Sequence, residues 1–87
     1  MKLKYEFETV ELDGEIMAVP VGDNAEELHA MLRLNDTASA ILKLLAEETT
    51  EEAVCKAILA EYEGDETEIR GYIHEFIGKL KEFDLLA

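Results

Sequence analysis

The first part of the chain alternates apolar and polar residues with a period of two, the pattern of half-buried β-strands. The alternation predicts a strand over about residues 5–12 and a second over about 15–21. Asp13-Gly14 separates them and can supply the positive φ angles of a two-residue hairpin turn. These two segments therefore predict an antiparallel hairpin.

A polar loop over residues 22–28 follows the hairpin, and a third alternating segment covers about residues 29–34. Its side chains divide between two faces, with Ala30, Leu32 and Leu34 on one and His29, Met31 and Arg33 on the other. The sequence thus predicts a third strand directly before the helical part of the chain.

Apolar residues then recur every three or four positions, which predicts helices over about residues 36–48, 50–62 and 66–83. Asn35 or Asp36 can cap the first helix. The pairs Thr49 with Glu52 and Asp65 with Glu68 read as capping boxes of the second and third. The apolar stripe of the last helix is the longest, and it comprises Ile69, Ile73, Phe76, Leu80 and Phe83.

The order of elements predicts an α+β fold. A three-stranded antiparallel sheet precedes a three-helix bundle in a winged-helix-like arrangement, and residues 1–87 form a single domain. In this arrangement the third strand and the last helix border a groove. Such a groove suits a peptide better than a metabolite.

Charge narrows the classes of partner. The chain has 8 basic and 21 acidic residues and a net charge of −13, which repels phosphate backbones and anionic membrane surfaces. It also lacks an apolar run near the roughly 20 residues that span a bilayer. We therefore expect a cytoplasmic protein that binds neither nucleic acid nor membrane.

The sequence shows no pattern typical of catalysis or of metal binding. His29 and His74 are the two histidines, too few for a tetrahedral zinc site without other ligands. Cys55 is the one cysteine, and a small buried thiol is the simpler interpretation than a nucleophile. No phosphate-binding glycine loop or catalytic triad pattern occurs. We expect no enzyme activity, no cofactor and no metal.

Several motifs together resemble the PqqD family, whose members are also called RiPP recognition elements. The resemblance covers nearly the whole chain. It is carried by Val19-Pro20-Val21-Gly22, by the strand-to-helix junction around Leu34-Asn35-x-Thr37, by Leu59 to Tyr62, by the stripe from Ile69 to Leu80 and by Leu85-Leu86. The junction is the most specific of these motifs.

The resemblance implies a function that residue chemistry alone does not indicate. Family members recruit the leader part of a ribosomally made precursor peptide to a modifying enzyme, in the best-known cases a radical SAM protein. The leader adds as a strand to the third strand of the sheet, beside the last helix. Unpaired backbone groups of the edge would give affinity, and side-chain pockets would give selection.

Transferred to this chain, the resemblance implies peptide contacts from the third strand and from one flank of the last helix. The expected strand residues are His29, Ala30, Met31, Leu32 and Arg33. The expected helix residues are Arg70, Ile73, His74, Ile77 and Lys81. Ile73 and Ile77 can equally belong to the core, and the cations can equally pair with neighbouring glutamates.

Three positions depart from the family pattern. Family members commonly have Thr-Gly at Thr37-Ala38, an acidic residue at Tyr72 and Gly at Asp84. Ala38 suits a helix, whereas Asp84 tolerates a left-handed helix end less readily than Gly. Tyr72 can either stack on a bound peptide or cover the core.

Two other function classes remain open from the sequence. One is a winged-helix DNA-binding regulator, which the acidic second helix disfavours because it carries one lysine among several glutamates. The other is a structural adaptor or homodimer that pairs through the same open strand edge.

Overall fold

The computed structural model describes residues 1–22 and 31–87. The elements are β1 (Glu6–Leu12), β2 (Glu15–Val21), β3 (Leu32–Leu34), α1 (Asp36–Leu44), α2 (Glu51–Glu61) and α3 (Glu66–Glu82). The strands form an antiparallel sheet in the order β1-β2-β3, followed by the three helices. The predicted α+β fold class is therefore confirmed.

The β1–β2 hairpin closes through the predicted turn. Asp13 has φ 53° and Gly14 has φ 80°, so both central residues adopt the positive angles of a type I′ turn. The strands pair in register from Leu12 opposite Glu15 to Glu6 opposite Val21. This turn sets the register of β1 against β2, the central strand of the sheet.

One face of the sheet packs against the helices. Ala18 of β2 and Leu34 of β3 lie on that face and are buried, and Ile16 packs against the core beside them. The centre of the core consists of aliphatic side chains from all three helices, namely Ile41, Leu42, Leu45, Val54, Ile58, Ile73, Ile77 and Leu80. The core thus joins the sheet to α1, α2 and α3 in one cluster.

Helix α1 ends at Leu44, four residues before its predicted end. Leu45 is fully buried, and its carbonyl oxygen accepts a hydrogen bond from the backbone N–H of Leu3 at 3.0 Å. Leu3 also pairs with Leu86 in an isolated β-bridge. A tertiary contact with the N-terminal segment therefore takes the place of the next helical turn, which helical periodicity alone could not reveal.

The helix caps follow the sequence with one correction. Asn35 Oδ1 accepts from the Ala38 N–H at 2.8 Å, and Asp65 Oδ1 accepts from the Glu68 N–H at 3.0 Å. The cap of α2 is Thr50, not Thr49, since Thr50 Oγ1 accepts from the Ala53 N–H at 3.1 Å. At the end of α3, Asp84 adopts φ 58°, the left-handed conformation that Gly accommodates more easily.

This correction gives a first prediction. Thr50→Ala should lower the free energy of unfolding by about 1 kcal/mol, because it leaves a first-turn amide of α2 without its side-chain acceptor. Thr49→Ala is the matched control and should cost less, since the hydrogen bonds that hold Thr49 are made by its backbone. Urea denaturation of both variants measures the difference. Equal losses would contradict the assignment of Thr50 as the cap.

Candidate functional site

A groove lies between β3 and the side of α3 that faces it. It encloses a cavity of about 300 Å³. The lining is mostly apolar and consists of Leu32, Arg33, Leu34, Asn35, Ala38, Tyr72, Glu75, Phe76, Lys79, Leu80 and Phe83. An apolar recess with a few polar groups at its border is the usual form of a ligand-binding site.

Three aromatic side chains of α3 and its C-cap form one wall of this groove. Tyr72 and Phe76 are one helical turn apart, and their rings lie nearly parallel, with centroids 6.5 Å apart and an interplanar angle of 11°. Phe83 stands at the end of the helix and is 66% exposed. The groove therefore presents aromatic surface to solvent. An aromatic side chain as exposed as Phe83 is unusual unless another molecule binds over it.

Asn35 connects the two walls. Its Oδ1 caps α1 and also accepts a hydrogen bond from the Tyr72 hydroxyl at 3.2 Å. Tyr72 is 37% exposed, and it borders the groove. The strand-to-helix junction thus holds the aromatic wall at a fixed position relative to β3.

The outer edge of β3 offers backbone hydrogen-bonding groups. In a hairpin with a two-residue turn, the residues that flank the turn form a hydrogen-bonded pair, here Leu12 and Glu15. The backbone N–H and C=O groups of successive strand residues point alternately to the two edges of the strand. Those of Ile16 and Ala18 therefore point away from β1, toward Leu34 and Leu32 of β3. Arg33, between them, consequently directs its N–H and C=O to the other edge of β3, which pairs with no strand among residues 1–22 and 31–87.

The structure places the predicted strand residues as follows. Leu32 and Arg33 line the groove, although the side chain of Arg33 points to the opposite face of the sheet. Met31 directly precedes β3, with its side chain 60% exposed. His29 and Ala30 lie outside the described residues. The Arg33 guanidinium lies near Glu15, with Nε 3.3 Å from Oε2.

The predicted helix residues are not among those that line the groove. Ile73 and Ile77 are fully buried in the core, the alternative that the sequence left open. His74 points to α2, where its Nδ1 lies 3.1 Å from Glu51 Oε2. Lys81 is exposed next to the end of α3, and the lysine that does line the groove is Lys79.

Arg70 also faces α2. Its guanidinium bonds Glu52 at 2.8 Å and Glu66 at 3.0 Å. Hydrogen bonds to these carboxylates raise the pKa of Arg70 above its ordinary value, and the bond from Arg70 lowers the pKa of Glu52. The cation therefore joins α2 to α3 and is not directed into the groove.

The aromatic side chains that line the groove lie on the flank of α3 opposite to Arg70 and His74, the flank that the sequence had predicted. Successive helical residues are about 100° apart, so Tyr72 lies about 200° around the axis from Arg70 and His74. The available signal was the aromatic series Tyr72, Phe76 and Phe83, whose spacing keeps these rings on one side.

Other kinds of site find no support in the described residues. No group of three or more His, Cys, Asp or Glu side chains in residues 1–22 and 31–87 is arranged to hold a metal ion. Cys55 is buried, and burial raises the pKa of its thiol, which disfavours the nucleophilic thiolate. Within the same ranges, the helices are too short or too polar to cross a membrane.

Comparison with solved structures gives a match over nearly the entire chain. The structure described as TbiB1 in complex with the TbiA(beta) leader peptide superimposes with a TM-score of 0.71. It is 24% identical in sequence, and the match covers 99% of this chain and 94% of that one. At this identity the similarity shows a shared fold. No curated protein sequence matches the chain.

Comparison with protein families gives a match over residues 16–86, which include all but the first residue of β2, and β3, the junction at Asn35 and all three helices. The matching family is described as coenzyme PQQ synthesis protein D (PqqD). The matched region contains the β3 edge and both walls of the groove. Since the match extends over most of the chain, the protein belongs to the PqqD family.

Proposed function

We propose that this protein is a non-catalytic recognition module that captures the leader of a ribosomally made precursor peptide. The observation that carries the proposal is the open β3 edge beside an apolar groove lined by α3. Membership of the PqqD family supports it, and so does the fold shared with TbiB1, whose structure contains a leader peptide.

The leader would bind as a fourth strand. Arg33 directs its N–H and C=O outward, so an extended peptide can form a hydrogen-bonded pair with it without disturbing the bonds between β2 and β3. Backbone pairing of this kind is largely independent of sequence and supplies affinity. The edge therefore explains why an extended peptide binds, while the groove must explain why one leader sequence binds in preference to others.

Selection would come from alternate side chains of the leader. Successive residues of a strand point to opposite faces, so every second side chain would face the space between the sheet and α3. That space is lined by Leu34, Phe76 and Phe83 and measures about 300 Å³, enough for a large aliphatic or aromatic side chain. Glu75 and Lys79 at its border can pair with charged leader residues.

The module would then present the bound peptide to a modifying enzyme, of the radical SAM type, in the cytoplasm. Leader binding leaves the part of the peptide that is modified free of the groove.

An amide NMR titration with leader segments of precursor peptides encoded beside the gene tests the proposal. We expect saturable shifts at residues 32–34 and along residues 72–83. Shifts confined to α2 on addition of duplex DNA would support a DNA-binding regulator instead. Shifts on increasing protein concentration alone would support a homodimer through the β3 edge.

Phe83 provides the sharpest test of the groove. Phe83→Ala should weaken leader binding about tenfold, because the ring is exposed and available for contact with peptide. Leu44→Ala is the matched control, since Leu44 is also partly exposed but lies at the end of α1 beside α2. Isothermal titration calorimetry should show less than a twofold change for the control. Equal effects of the two variants would contradict the location of the site.

A further inference from the structure

The face of the sheet opposite the helices carries an apolar surface that the core does not use. Strand pairing brings Val10 opposite Met17 on this face, with Glu8 opposite Val19 and Glu6 opposite Val21 in the neighbouring rows. We call this surface the outer sheet face and define it by five side chains, namely Val10, Leu12, Met17, Val19 and Val21. None of the five belongs to the core cluster or to the residues packed against it.

Leu12 is the most exposed of these side chains, Val10 is partly exposed, and Met17, Val19 and Val21 are half-buried. Val10 is 37% exposed and Leu12 is 58% exposed, although both lie in a regular strand. The helices contact β2 and β3 on the opposite face, where Ala18 is completely buried. Contiguous apolar surface of this kind on an antiparallel sheet is typical of a protein interface, since a solvated sheet face is normally polar.

Carboxylates border the outer sheet face. Glu6, Glu8 and Glu15 lie on the same side of the sheet as the apolar side chains. Within the three strands the cation on this face is Arg33, and it already lies 3.3 Å from Glu15. Lys2 and Lys4 line a pocket with Glu6 and Val21 at one end of the face. The surface is therefore an apolar patch with a negative border, on a chain whose net charge is −13.

We propose that the outer sheet face docks the peptide-modifying enzyme through an apolar patch bordered by lysine and arginine side chains. The identity of this partner rests on the proposed function. Charge complementarity favours a basic partner over a second copy of this chain. A twofold pairing of the face with itself would bring glutamates of one copy against those of the other.

The position of the face fits simultaneous binding of peptide and enzyme. The groove lies on the helical side of the sheet, between β3 and α3, whereas the outer sheet face lies on the other side. A leader bound in the groove therefore leaves the outer sheet face uncovered. The enzyme could receive the peptide without displacing the leader first.

The charged border is tested with a double reversal, Glu6→Lys with Glu8→Lys. The control is Glu47→Lys with Glu63→Lys, which makes the same change in net charge at exposed positions outside the sheet. The probe is the purified modifying enzyme encoded beside the precursor peptide, and its association rate is measured at low and high salt. We expect the face variant to associate at least tenfold more slowly at low salt, with a smaller difference at high salt.

The apolar centre is tested with Val10→Ser combined with Leu12→Ser. Both side chains are exposed, so the variant should fold, which circular dichroism verifies. We expect dissociation from the enzyme to be at least tenfold faster than for the wild type. Rates equal to the wild type, or equal losses in the face and control charge variants, would overturn the inference.

Leader affinity is measured on the same variants, so that the two proposals can fail separately. The face variants should bind leader within twofold of the wild type. A wild type that does not bind leader would contradict the proposed function, whereas enzyme binding unaffected by the face variants contradicts only this inference. If the wild type self-associates and the face variants do not, a second copy of the chain occupies the outer sheet face. That result would also overturn this inference.

Discussion

Replacing Arg33 by proline should lower the affinity for a leader peptide at least tenfold while the protein remains folded. The register of the sheet directs the Arg33 N–H to the open edge, so proline removes a donor that β2 does not use. The pyrrolidine ring also projects into the space that an added strand would occupy. Loss of one hydrogen bond combined with this steric obstruction gives the expected reduction, which calorimetry can measure.

Arg33→Ala is the matched control, because it removes the same side chain but keeps the backbone N–H. Its effect on leader affinity should be threefold or less, since the guanidinium is largely exposed and lies near Glu15. If alanine weakened binding as much as proline, the guanidinium and not the strand edge would be the binding determinant. If proline unfolded the protein, the assigned direction of the Arg33 amide would be wrong.

Most of the fold could be predicted from local sequence signals, namely the hairpin turn and the helix caps. Asp13-Gly14 fixes the hairpin, because few residue pairs adopt two positive φ angles. Asn35 and Asp65 mark helix starts through hydrogen bonds within three residues along the chain. The end of α1 could not be predicted from local signals, since it depends on a hydrogen bond from Leu3, a residue distant in sequence.

The lining of the groove was predictable on its strand side and not on its helical side. Leu32 and Arg33 could be placed because β3 pairs with β2 on one side and with no other strand in the part of the chain that the structure describes. The helix, by contrast, has two flanks beside its buried stripe, one toward α2 and one toward β3. Which flank faces which element depends on the packing of three helices against a sheet, and charge misled the choice because Arg70 pairs within the protein.

The same apolar stripe of α3 thus contains residues with opposite functions, and mutation should separate them. Ile73→Ala should lower the free energy of unfolding by about 2–5 kcal/mol, because Ile73 is completely buried and the truncation leaves a cavity. A domain of this size is stable by only roughly 5–10 kcal/mol, so the variant should lose a large part of its stability. Urea denaturation measures the change.

Phe83→Ala is the comparison for Ile73→Ala, since both truncate a large apolar residue of the stripe. Phe83 is 66% exposed, so its removal should lower the free energy of unfolding by roughly 0.5 kcal/mol or less. Under conditions where both variants are folded, the order should reverse for leader binding, with Phe83→Ala the weaker binder. A large stability loss from Phe83→Ala would show that its ring is part of the core, and the aromatic wall of the groove would then consist of Tyr72 and Phe76.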